Sequence, residues 1–119
     1  MLRVLFDKNV PYPLKRQLAD YRVSTAEDEG WGQLSNGELI LCAERAGYHI
    51  LITCEQNVGY QQNLRRISMV VLGSNIWPAI VPRIPEITAA LKIAASGSFE
   101  FIEIVPPSKR RRLPGPSIS

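Results

Sequence analysis

Three carboxylates stand where the local sequence changes character. Asp7 closes the apolar run of Leu2, Val4, Leu5 and Phe6, Glu55 comes just after a second such run at residues 49–53, and Glu38 opens the amphipathic stretch LSNGELILCAE. Strands of a parallel sheet all point the same way, so the residues just past their carboxyl ends gather along one edge, where open α/β sheets bind ligands. Two carboxylates within about 4 Å of each other repel by roughly 4 kcal/mol at an effective dielectric of ~20. A shared proton or a bound cation relieves that repulsion. Oxygen-only ligands favour Mg²⁺ or Mn²⁺ over zinc, and magnesium commonly takes one or two carboxylates, waters and a substrate phosphate. This is phosphodiester chemistry in outline, in which the metal activates a water and neutralises charge on the phosphate. The candidate metal ligands and catalytic groups are Asp7, Glu38 and Glu55, with Asn57 and Asn75 as neutral oxygen donors. Lys8, Arg65 and Arg66 are candidate phosphate contacts, and Tyr60 can stack on a base.

Each of these residues also has a plainer reading. Asp7 suits a turn. Ser35-x-x-Glu38 is a capping box, in which the glutamate bonds back to the backbone N–H of the cap residue. Lys8, Tyr60, Arg65 and Arg66 suit solvated or packing roles, and Glu27, Asp28 and Glu29 suit a solvated acidic turn. Glu55 is the least easily dismissed, because Asn57, Tyr60, Gln61, Gln62 and Asn63 come after it with more polar atoms than a connector needs. The single histidine, His49, reads as structural at the start of its strand. Cys42 and Cys54 lack C-x-x-C spacing and a neighbouring histidine, so they read as buried free thiols.

The elements that would position these groups are legible in outline. The 119 residues suffice for one domain with a real core, and 45% hydrophobic with 21% charged residues is ordinary for a globular protein. The formal charge of +3 is concentrated at the end of the chain: Lys109, Arg110, Arg111 and Arg112 supply +4, leaving 3 − 4 = −1 for the rest. β-rich runs at residues 2–6, 21–25, 49–53 and 68–72 are joined by connections too long for hairpins and suited to helical crossovers. A fifth run, 99–105, alternates more and is expected at an edge. Pro13 can open a first helix with Leu14 and Leu18 on one face. A second is expected over 37–46 with Gly47 as its stop, and a third from Pro85 with Ile87, Ala90, Leu91 and Ala94 as its buried stripe. Residues 59–67 predict a short exposed helix with Tyr60, Leu64 and Ile67 as a narrow apolar face. Residues 1–105 are therefore expected to form the domain, and 106–119, rich in Pro, Ser and Arg, a flexible tail. No apolar run reaches membrane-spanning length and no leader is evident, so a cytoplasmic protein is expected.

LFDKNVP, GWGQLSNGELI, LITCEQNVGYQQNL and VVLGSNIWP together resemble a family of short PIN-like proteins related to the ribonuclease toxins of bacterial toxin–antitoxin modules. The resemblance runs over residues 2–78, with weaker support through the last strand, and omits the basic tail. It implies a three-layer α/β/α domain with a central, mostly parallel sheet of four or five strands. It also implies an acidic pocket for Mg²⁺ or Mn²⁺ that drives RNA hydrolysis, and a small antitoxin protein as partner; a homodimer stays open. Carried over by position, Asp7 matches the aspartate after the first strand and Glu38 the helix glutamate. Glu55 stands where relatives usually have aspartate, and Asn57 where many have another. Asp to Glu adds roughly 1.5 Å of reach, and a misplacement of about 1 Å can cost ~10²-fold in rate. Asn57 keeps an oxygen ligand but removes a charge, which favours one metal over two. The competing expectation is a PIN-like module, weak or inactive in catalysis, that binds RNA or a partner protein.

Overall fold

In a computed structural model of the chain, residues 2–56, 66–94 and 97–105 are described. Five strands, β1 (Arg3–Phe6), β2 (Arg22–Thr25), β3 (Ile50–Thr53), β4 (Ser68–Leu72) and β5 (Phe99–Ile102), form one sheet in the order β2-β1-β3-β4-β5. Every pairing is parallel. The fold is α/β, as the long crossover connections predicted, and β5 lies at an edge.

Continuous apolar runs suit strands that are buried on both faces. Every residue of β3 and β4 is buried, Thr53 and Ser68 included, whereas β2 and β5 have no buried residue. Alternation with period two divides the strand side chains between two apolar clusters. Val4, Phe6, Ile50, Ile52, Val70 and Leu72 join one, together with Leu14 of α1 (Leu14–Gln17), Ala79 and Ile80 of α3 (Trp77–Ile80) and Ile87 and Leu91 of α4 (Ile84–Ile93). Leu5, Leu51, Met69 and Val71 join the other, with Leu39, Ile40 and Ala43 of α2 (Asn36–Arg45).

The helix punctuation has local chemical causes. Pro13 is the N-cap of α1, and both Leu14 and Leu18 are buried. After α2, Gly47 takes φ of 89°, a conformation costly for any residue with a Cβ, and so ends the helix. Pro85 lies in the first turn of α4, where its missing N–H costs nothing. The sequence pattern does not predict α3 or the 3₁₀ turn Val81–Arg83 that joins it to α4. Four residues are too few to display a stripe, and Pro78 and Pro82 mask what periodicity there is.

The expected helix of residues 59–67 falls outside the described residues except for Arg66 and Ile67, as does the tail 106–119. Among the described residues no helix is long and apolar enough to cross a membrane.

Candidate active site at the carboxyl edge of the sheet

From β1 the chain moves to β2 on one side, while β3, β4 and β5 build outward on the other. The strand order therefore reverses between β1 and β3, which is where an open α/β sheet leaves a crevice beyond its strand ends. Asp7 enters that crevice directly from β1. Its backbone N–H donates to the Ile52 carbonyl at 2.9 Å, extending the β1–β3 ladder by one residue and fixing the origin of its side chain.

Asp7 is only 9% exposed. Its Oδ2 accepts the Thr53 hydroxyl at 2.8 Å, and its Oδ1 accepts the Lys8 backbone N–H at 2.7 Å. Thr53 Oγ1 in turn accepts the Glu55 backbone N–H at 3.0 Å. A single hydroxyl thus links the Asp7 carboxylate to the backbone of the second candidate acid. The direction of the chain is set by chemistry, since the Glu55 backbone N–H can only donate to Thr53 Oγ1, which gives its own proton to Asp7 Oδ2. No cation pairs with Asp7 among the described residues, where the ion pair found is Arg83 with Glu86.

Neighbouring loops are tied into the same edge. Asn9 Oδ1 accepts the Cys54 backbone N–H at 3.2 Å, and Gln56 Nε2 donates to the Gly73 carbonyl at 3.0 Å. The Cys54 thiol donates to the Ser74 carbonyl at 3.5 Å. Burial, and secondarily the negative charge of Asp7, pushes that thiol up to about 12. In the metal-free protein Cys54 is therefore a protonated thiol at neutral pH. The charged donors offered by this edge are oxygens.

Glu38 belongs to a different structure. Its backbone N–H donates to Ser35 Oγ at 3.4 Å, and its Oε1 accepts both the Ser35 backbone N–H and hydroxyl at 3.0 Å. This is the complete capping box of α2. The same Ser35 donors hold the Glu38 carboxyl below its ordinary range. Among the described residues no three His, Cys, Asp or Glu side chains form a group able to hold a metal ion. Asp7, Glu38 and Glu55 are accordingly not gathered as a triad, and of the two readings of Glu38 the geometry displays the cap. The helix start that Ser35 defines draws the glutamate back along the helix.

The other singled-out residues divide by location. Lys8 and Glu55 are exposed beside Asp7 in the chain and at the end of β3, and Asn75 is exposed after β4. Arg66 precedes β4 and lies at the amino edge of the sheet, not beside Asp7. Asn57, Tyr60 and Arg65 fall outside the described residues. Asp28 closes a turn with Thr25: its carboxylate accepts the Thr25 backbone N–H, and its own backbone N–H donates to the Thr25 hydroxyl. Glu29 accepts the Tyr48 hydroxyl. His49 Nδ1 accepts the Arg3 backbone N–H at 2.9 Å, a structural role. Both cysteines are free thiols of intermediate exposure, less buried than expected.

Thr53, Asn9 and Gln56 carry no signal in the sequence that would single them out. Thr53 reads as an ordinary β-branched strand residue. Only the β1–β3 register, in which Phe6 pairs with Ile52, sets Asp7 opposite it.

No family model, curated protein or solved structure matches the chain.

Proposed function

We propose that the chain is a divalent-cation-dependent endoribonuclease of the PIN-like type, acting in the cytoplasm as the toxin half of a toxin–antitoxin pair. The observation that carries the reading is the Asp7 carboxylate, nearly buried in the β1–β3 crevice with two neutral donors and no cationic partner among the described residues. Burying a charge with so little compensation is costly. A bound cation offsets that cost.

The donor set fits a hard ion. Each Asp7 oxygen accepts one hydrogen bond from a described residue and keeps further lone-pair capacity, and Glu55 lies just beyond Thr53 at the exposed rim. Asp7 and Glu55 are the proposed ligands for one Mg²⁺ or Mn²⁺, with waters and a substrate phosphate completing the shell. Such an ion supplies a nucleophilic water and charge neutralisation at the phosphate. Thr53 holds Asp7 in one rotamer and fixes the backbone from which Glu55 reaches, and Lys8 brings a positive charge to the strand. Glu38 is assigned to capping α2 and has no part in the proposed metal site.

RNA hydrolysis and a small antitoxin partner rest on the resemblance of LFDKNVP and LITCEQNVGYQQNL to PIN-like toxins. The occupation of Glu38 by its cap favours a second reading, a module that binds RNA or a partner protein without cutting. Cleavage of RNA by the full chain with added Mn²⁺ separates the two. The nuclease predicts metal-dependent cleavage lost in Asp7→Asn. Absent cleavage, or cleavage indifferent to that substitution, would leave the binding module.

A further inference from the structure

The amino edge of the sheet, opposite Asp7, carries a cleft of about 260 Å³ lined by Glu44, Gly47, Tyr48, His49 and Arg66. Three bonds from backbone N–H groups hold its lining residues in place. The Arg3 backbone N–H anchors the His49 ring by donating to Nδ1, so that Nδ1 is an acceptor and Nε2 is the ring nitrogen able to donate. Glu44 Oε2 accepts the backbone N–H of Arg66 at 2.6 Å and of Ile67 at 3.4 Å, so the carboxylate fixes the chain entering β4. Among the described residues no carboxylate pairs with the Arg66 guanidinium.

Two features oppose an anion here, the negative end of the α2 dipole and the Glu44 carboxylate, and each has a counterweight. The negative end of the α2 dipole is met by Arg3, whose Nη1 donates to the Ala46 carbonyl at 2.6 Å while its guanidinium lies 4.2 Å over the Tyr48 ring. Glu44 keeps its charge while it binds two backbone N–H groups, and the guanidinium groups of Arg3 and Arg66 outnumber it. Gly47 leaves the room this requires, since a Cβ there would stand 3.2 Å from Arg3 Nη1. At two lining residues, donor capacity meets no acceptor among the described residues: the planar fork of Arg66 and the Nε2–H of His49.

We propose that this cleft is an oxyanion site that takes a phosphate group, with Arg66 as its bidentate donor and His49 Nε2–H as the second contact. Arginine matches phosphate geometry through two parallel N–H bonds. The volume falls below the range usual for whole drug-sized ligands. It suits a phosphate and its first attached atoms. The source is either a small phosphomonoester or one phosphate of a nucleic-acid strand. The site lies away from Asp7 and does not depend on the nuclease reading.

The test is an NMR titration of the full chain at pH 7 and constant ionic strength with inorganic phosphate, monitoring the His49 ring and Arg66 side-chain resonances. Saturable shifts at both residues are the expected result, with phosphate affinity read at His49 weakened at least tenfold in Arg66→Gln and unchanged in Arg16→Gln on α1. Parallel titrations with a nucleoside 5′-monophosphate and with a short RNA lacking terminal phosphates identify the source by which binds tighter. Arg66 is exposed, so its variant should melt like the parent protein. Shifts that grow without saturation, that chloride reproduces, or that persist in Arg66→Gln would overturn the proposal.

Discussion

Replacing Thr53 by valine tests the hydrogen-bonded link between Asp7 and the loop that carries Glu55. Thr53 is 1% exposed, and valine nearly matches its shape while removing the hydroxyl. Two bonds are lost, the 2.8 Å donation to Asp7 Oδ2 and the 3.0 Å acceptance from the Glu55 N–H. A hydrogen bond to a charged group contributes about 1.5–3 kcal/mol. The Glu55 N–H belongs to an exposed residue and regains a water, so its share is small. The expected loss is about 2 kcal/mol, which at about 4–8 °C per kcal/mol lowers the melting temperature by roughly 10 °C for a domain of this size. Thr53→Ser keeps both bonds and loses one methyl, costing about 1 kcal/mol. Urea denaturation of both variants, repeated in an Asp7→Asn background, measures the coupling. The valine cost should shrink by about 1 kcal/mol there, because a neutral amide oxygen accepts more weakly. A valine variant within about 0.5 kcal/mol of the parent protein, or one more stable than the serine variant, would mean that the hydroxyl does not hold Asp7 as described.

Ser35→Ala removes the side-chain cap of α2 and should cost about 1 kcal/mol by denaturant unfolding, with the fold retained. The Glu38 carboxyl in the same box is held below its ordinary 4.5 by Ser35 donors, so the folded state binds its proton less tightly than the unfolded state. Its charged form therefore adds stability above pH 4.5 that is lost as the pH falls through the lower folded value. The stability difference between the parent protein and Glu38→Gln should be constant at neutral pH and close on acidification. Cys54, with its thiol pushed up to about 12, should resist iodoacetamide in the folded protein at about pH 8 and react once urea unfolds it. Rapid native labelling at Cys54, read by peptide mass spectrometry, would contradict that placement.

The sheet was legible because its strands advertise themselves. The apolar runs of β3 and β4 are continuous where both faces are buried, and the long connections between them leave only parallel pairing. The position of Asp7 and Glu55 at one edge is a consequence of that parallelism, given β1 and β3 as neighbours. The strand order was not written in any local pattern, because it depends on how the crossovers pack. Thr53 was invisible for the same reason, its partner lying 46 residues away in sequence and adjacent only through the β1–β3 register. Glu38 was ambiguous in principle: S-x-x-E serves a cap and a ligand equally well in one dimension, and the bonds with Ser35 display the cap. Arg66 is near Glu55 in sequence, which invited its grouping with the acids. A parallel crossover must return to the opposite end of the sheet before β4 begins, and Arg66 sits at that return.

Calorimetric titration of Mn²⁺ into the full chain at neutral pH decides whether the β1–β3 crevice holds a divalent cation. One saturable site is expected, weakened at least tenfold by Asp7→Asn and also by Glu55→Gln, and unaffected by Glu38→Gln. No saturable binding, or binding that survives Asp7→Asn unchanged, would rule the metal site out.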